Sequence, residues 1–150
     1  MNFESADAVL DFAIEKEEEA FRFYDDLAEK MAPKHMKEVF HSFALEEKGH
    51  KAKLESVKKG KKLQQAQRKI EDLKIGDYLP DVEATDDMTY QDALIIAMKA
   101  EKAAYKLYSD LAQTISDANL KELFLLLAQE EARHKLRFEV EYDDHVLREN

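Results

Sequence analysis

The sequence predicts an all-α fold: four helices forming two antiparallel hairpins, joined by a long crossover into a four-helix bundle, with residues 1–150 as one domain. Three observations carry this. Helix breakers are scarce, with three glycines and two prolines in 150 residues, while Ala, Leu, Glu and Lys abound. Apolar residues recur at helical spacing in four separate segments. The only stretch rich in turn chemistry is KIGDYLPDVEATDDM, residues 74–88, at the centre of the chain.

The first helix is expected over residues 5–31, with Ser5 as N-cap and a stripe of Leu10, Ala13, Ile14, Ala20, Phe21, Tyr24, Leu27 and Ala28. A short APK turn leads to the second, over residues 33–62, where Pro33 suits the first turn. Its stripe is Met36, Val39, Phe40, Phe43, Ala44 and Leu54. Residues 58–74 are strongly basic and read as surface helix. The third helix, residues 89–114, opens on Thr89 with Asp92 three residues on, and carries Leu94, Ala97, Met98, Ala104, Tyr105, Tyr108, Leu111 and Ala112. TISDAN turns the chain into the fourth, residues 117–147, with Leu120, Leu123, Phe124, Leu127, Ala128 and Phe138. Short connections within each pair make hairpins, and the long middle piece makes the crossover, at about residues 74–88.

Composition excludes several functions. The chain has no cysteine, so a disulfide framework, a zinc ribbon and a thiolate iron site are ruled out. No run approaches the ~18 apolar residues of a membrane span, and MNFESADAVL lacks the form of a signal peptide. A cytoplasmic protein is the expectation. The formal net charge of -10 argues against nucleic acid and anionic lipid as partners.

The two hairpins are copies. Shifting the chain by 84 residues superimposes them without a gap. Leu10 then meets Leu94, Tyr24 meets Tyr108, and DLA at 26–28 meets DLA at 110–112. Phe40 meets Phe124 and Ala44 meets Ala128. Helical periodicity alone would align such apolar residues. The polar matches are more informative: Glu17 with Glu101, Glu47 with Glu131, His50 with His134, and Lys51 with Lys135. Each of the four glutamates sits on an apolar stripe. A buried carboxylate must be paired, protonated or metal-bound, because its desolvation costs several kcal/mol or more. Lys51 and Lys135 lie at the stripe edge, from which their ammonium groups reach solvent.

Glu-x-x-His on a helix puts both side chains on one face, a turn apart. Two such helices and two single glutamates offer four carboxylates and two imidazoles to a common centre, the donor set of a di-iron or di-manganese site. Mixed oxygen and imidazole donors suit iron or manganese. One such motif alone would mean little: with 19 glutamates in the chain, chance supplies roughly one per eight histidines. The repeat of all three positions in register gives the set its weight. The expected metal ligands are Glu17, Glu47, His50, Glu101, Glu131 and His134. Glu18 is set aside because position 102 is Lys102, and Glu46 and Glu130 read as residues at the outer edge. His35, His41 and His145 have no partners in the repeat and read as surface histidines. Tyr24 and Tyr108 stand two turns beyond Glu17 and Glu101 on the same face. Each reads equally as a core aromatic or as a hydroxyl serving the site.

The doubled E-x6-Y and doubled E-x-x-H, in that order, resemble the rubrerythrin branch of the ferritin-like superfamily over residues 8–141. The resemblance implies two iron ions, with manganese or a mixed pair as alternatives. It makes Glu47 and Glu131 bridging ligands, Glu17 and Glu101 terminal ones, and His50 and His134 one cap on each ion. It further implies reduction of hydrogen peroxide or oxygen, or oxidation of ferrous iron, in a homodimer, with Tyr24 and Tyr108 as catalytic candidates. The fused rubredoxin domain of rubrerythrin proper needs four cysteines, which this chain lacks. An external donor of the rubredoxin type would then supply electrons. Met98 and Ala104 flank Glu101 where such proteins commonly carry an additional glutamate. The competing readings are iron storage or ferroxidase activity without peroxidase turnover, and a metal-free interaction bundle.

Overall fold

The computed structural model describes residue 3, residues 5–61 and residues 84–147. Two α-helical hairpins account for nearly all of it. Hairpin 1 comprises α1 (Ala6–Lys30) and α2 (Lys34–Lys61), and hairpin 2 comprises α3 (Tyr90–Thr114) and α4 (Ala118–Tyr142). α4 ends in a single π-helical turn, Asp143–Leu147. Of the expected crossover, residues 74–83 lie outside the described residues, as do residues 62–74 of the basic stretch. Residues 84–89 are loop, with a turn at Asp86 and Asp87.

The helix ends follow from their capping chemistry. The Ser5 hydroxyl accepts from the Ala8 N–H at 3.1 Å, and Thr89 does the same for Asp92 at 3.1 Å. Asp117 Oδ1 accepts from the N–H groups of Asn119 and Leu120, at 2.9 and 3.0 Å. These bonds satisfy donors that the helix itself leaves open. The Pro33 carbonyl starts α2 by accepting from Lys37 N–H at 3.0 Å. α1 and α3 end alike, in extended residues Met31 and Ile115.

The shift of 84 residues holds in three dimensions. It carries the first residues of α1 and α2 onto those of α3 and α4, Ser5 onto Thr89, and Met31 onto Ile115. All eight buried residues of α1 fall on buried residues of α3: Ala6, Val9, Leu10, Ala13, Glu17, Tyr24, Leu27 and Ala28. In α2 and α4 the buried pairs are Phe40 with Phe124, Phe43 with Leu127, Ala44 with Ala128, and Leu54 with Phe138. Aromatic contacts join the helices of each hairpin. Tyr24 lies 5.8 Å from Phe43 between ring centres, and Tyr108 stacks on Phe124 at 6.0 Å. Each core leucine or phenylalanine contributes about 1.5–3 kcal/mol by leaving water.

Of the expected stripe residues, Ile14, Ala20, Phe21, Met36, Val39, Met98, Ala104 and Leu123 are half-buried, and one is exposed. Tyr105 is 45% exposed. It stands at the border of the α3 stripe, a position that suits an amphipathic ring able to keep its hydroxyl in water.

Candidate metal centre

Each hairpin brings one triad together. In hairpin 1, α1 supplies Glu17 and α2 supplies Glu47 and His50. His50 Nδ1 lies 3.0 Å from Glu17 Oε2 and 3.5 Å from Glu47 Oε1. In hairpin 2, α3 supplies Glu101 and α4 supplies Glu131 and His134. His134 Nδ1 lies 3.4 Å from Glu101 Oε1 and 3.4 Å from Glu131 Oε1. The helical repeat sets this geometry: i and i+3 on α2 and α4 share a face, and that face packs on the opposite helix of the same hairpin.

All six side chains are buried, the four carboxylates to 2% exposure or less. Buried acids are energetically strained. Burial first, and then the charge of Glu47, push the Glu17 carboxyl up to about 8, while its hydrogen bond with His50 pulls the other way. Raised that far, the Glu17 carboxyl favours its protonated form near neutral pH. A bound cation would take the place of that proton and relieve the cost.

The donor set fits a divalent transition ion. Each triad presents two carboxylates and one imidazole nitrogen, the hard-to-intermediate donors that iron and manganese take. Ligands bound at about 2.1 Å and at right angles stand about 3.0 Å apart. The donor separations of 3.0 to 3.5 Å in both hairpins are close to that edge length.

Tyr24 and Tyr108 are each 1% exposed and two turns beyond Glu17 and Glu101. Their rings pack on Phe43 and Phe124. Of the residues set aside, Glu46 is exposed and Glu130 half-buried. His35 is exposed, and His41 stands 3.5 Å from Asp25 and 3.6 Å from Glu29. His145 is half-buried against Glu141 at 3.3 Å. Glu141 also accepts from the Tyr90 hydroxyl at 2.6 Å. Burial, and then that bond, hold the Tyr90 hydroxyl well above the usual tyrosine range.

One feature escaped the reading of the chain. Lys51 is part-exposed at the stripe edge, and its Nζ also donates to Glu18 Oε1 at 2.7 Å, across from α2 to α1. The bond lowers the Glu18 carboxyl and raises the Lys51 ammonium. The signal lay in the sequence, because Glu18 follows Glu17 and Lys51 follows His50. Two residues adjacent to a touching pair are placed to meet as well.

The sequence model of the rubrerythrin family matches residues 8–142, spanning both triads. The chain belongs to the rubrerythrin family. No curated protein matches it. Among solved structures, a hypothetical protein from Pyrococcus furiosus is 27% identical, with a TM-score of 0.64 over 89% of this chain and 85% of that one. A Thermotoga maritima protein, provisionally described as a ferritin-like diiron-carboxylate protein, gives a TM-score of 0.74 at 20% identity, over 97% of this chain and 98% of that one. That second likeness shows the fold: this rubrerythrin-family chain is all-α, of the ferritin-like four-helix class. Among its described residues no helix is long and apolar enough to cross a membrane.

Proposed function

We propose that this rubrerythrin-family chain is a non-haem di-iron protein that reduces hydrogen peroxide or oxygen. Glu17, Glu47, His50, Glu101, Glu131 and His134 are its ligands, three from each hairpin, and we read the chain as one domain. The observation that supports this most is the repetition, in register, of a buried Glu, Glu and His in each hairpin. Such groups are costly to bury without a cation, and nothing in the packing of a helical hairpin calls for them.

A pair of ferrous ions would supply two reducing electrons to the oxidant at such a centre. The chain's own residues hold and orient. Glu47 and Glu131 stand in line with His50 and His134 on α2 and α4, so rigid helices fix carboxylate and imidazole together. Glu17 and Glu101 complete each set from the facing helix. The apolar neighbours Ala13, Phe43, Ala97 and Leu127 keep bulk water from the ligands. To Tyr24 and Tyr108 we assign the disposal of oxidising equivalents that miss the substrate. With no cysteine in the chain, re-reduction falls to a separate donor of the rubredoxin type, and we assign the protein to the cytoplasm as a homodimer.

The test is anaerobic loading with Fe(II), desalting and metal analysis, then addition of peroxide under an absorption probe. About two irons per chain, oxidised in step with added peroxide, is the expected result. Glu47→Ala and His134→Ala should each abolish that oxidation; its survival in both would sink the proposal. Uptake far beyond two irons would point to storage. No retained metal would leave a metal-free bundle.

A further inference from the structure

The triads repeat between the hairpins, but the charges beside them do not. Glu18 of hairpin 1 becomes Lys102 in hairpin 2, and Glu15 becomes Lys99, while Lys51 keeps its charge as Lys135. The consequence is visible in both hairpins. Glu18 takes Lys51 Nζ on Oε1 at 2.7 Å and Arg22 Nε on Oε2 at 2.8 Å. This clasp ties α1 to α2 one residue beyond both Glu17 and His50. Among the described residues, Lys102 and Lys135 of hairpin 2 make no such clasp, because they carry like charges. Lys135 turns along its own helix to Glu139 Oε1 at 2.9 Å, and Lys102 is exposed. The ligand pair inside the clasp is also closer: 3.0 Å from His50 to Glu17, against 3.4 Å from His134 to Glu101.

Two physical effects point the same way. The clasp preorganises the first triad, so less ordering remains to be done when an ion binds. The neighbouring charge adds to this, because an anion beside Glu17 attracts a cation and an ammonium beside Glu101 repels one. We infer that the two triads hold divalent metal unequally. Glu17, Glu47 and His50 form the tight position, Glu101, Glu131 and His134 form the exchangeable one, and Glu18 and Lys102 set the difference. This rests on the metal-centre reading above and adds to it an order: the first triad fills first and empties last. Glu18, Lys51 and Lys102 act through the ligands as positioning residues.

The experiment is anaerobic titration of the full chain with Mn(II), followed by calorimetry and by the paramagnetic resonance of free Mn(II). Two steps of unequal affinity are expected. His50→Ala should remove the tighter step and His134→Ala the weaker. Lys102→Glu, which places a carboxylate opposite Lys135, should tighten the weaker step by about three- to tenfold, the range of a partly exposed ion pair with its local charge. Glu18→Lys should weaken the tighter step by a similar factor. Lys121→Glu makes the same charge change ten residues from Glu131, about 15 Å along α4, and should move neither step much. Equal affinities in the unmodified chain overturn the inference, as does a Lys102→Glu effect no larger than that of Lys121→Glu. Failure of the unmodified chain to bind Mn(II) overturns the metal-centre reading instead. Should Glu18→Lys fail to fold, Lys102→Glu still decides, since it adds an attraction and removes none.

Discussion

Hairpins 1 and 2 are the same object built twice, and they agree and disagree in an orderly way. They agree on where helices begin, on most of the buried positions, and on two glutamates and a histidine in each core. They disagree on many surface charges, Glu15, Glu18, Asp11 and Lys58 among them, and on the residues that tie the helices together. Hairpin 1 joins its helices through Lys51 with Glu18, through Lys58 with Asp11, and through Lys37, which donates to the Ala28 carbonyl. Hairpin 2 uses Tyr90 with Glu141 and Gln91 with Tyr142. A clasp can be made from many residue pairs, so the two copies differ there. A buried carboxylate has no cheap substitute other than an apolar residue, and neither copy has made that exchange.

The comparison can be broken most severely in the core. Phe40→Ala and Phe124→Ala remove matched rings, both fully buried, and each should cost about 3–5 kcal/mol. Urea melts of the two variants test whether the copies share stability as well as shape; a difference above about 2 kcal/mol would mean that one hairpin carries the fold.

Next come the buried acids. Glu47→Leu with Glu131→Leu should raise the stability of the metal-free chain by about 1–4 kcal/mol, because two buried carboxylates and their desolvation cost are replaced by apolar side chains. It should also abolish any rise in melting temperature on adding Mn(II). No gain in the metal-free state would mean that these carboxylates are not under strain.

A pH scan sharpens the same point. Glu17 is raised from an ordinary 4.5 to about 8 in the fold, so between those values the folded chain holds a proton that the unfolded chain has lost. Stability of the metal-free protein then falls as pH rises from about 4.5 to about 8, by a few kcal/mol at most. Glu17→Gln should flatten that slope, and bound metal should too. A slope unchanged by Glu17→Gln would refute the assignment.

Two smaller effects separate the hairpins. Tyr90→Phe removes the hydroxyl held by Glu141, which hairpin 1 cannot mimic because its counterpart is Ala6. Thermal melts should show a loss of about 1–2 kcal/mol. Gly49 sits in mid-helix beside His50, where a Cβ would meet nothing within 4 Å. Gly49→Ala should therefore stabilise by about 0.5–1 kcal/mol. A loss there would reveal a neighbour packed on that face.

Most of this was legible in the sequence. Scarce breakers and helical periodicity mark all four helices, and Ser5 and Thr89 mark two of their beginnings. The six site residues stand out because a polar residue on an apolar stripe conflicts with burial, and the same conflict occurs twice in register. Less legible was anything depending on side-chain reach. Lys51 has the same neighbours in sequence whether it extends to water or folds back on Glu18. Tyr105 occupies a border position that periodicity assigns to the core and an amphipathic ring leaves half in solvent. The π-helical turn after Tyr142 has no marker in composition, since Asp143 and Asp144 continue a helix as readily as they end one.

The buried acids also bear on how long the protein lasts. On the proposed reading, a ligand that binds only the folded chain holds that chain closed, and its withdrawal lets the chain open more often. Proteases act on opened chains, so turnover would follow the supply of metal. Digestion should be slow with Mn(II) present and fast with chelator, and equal rates in both would refute this. Two glutamates and a histidine per hairpin would then couple the protein's abundance to the metal it needs, with no separate sensor.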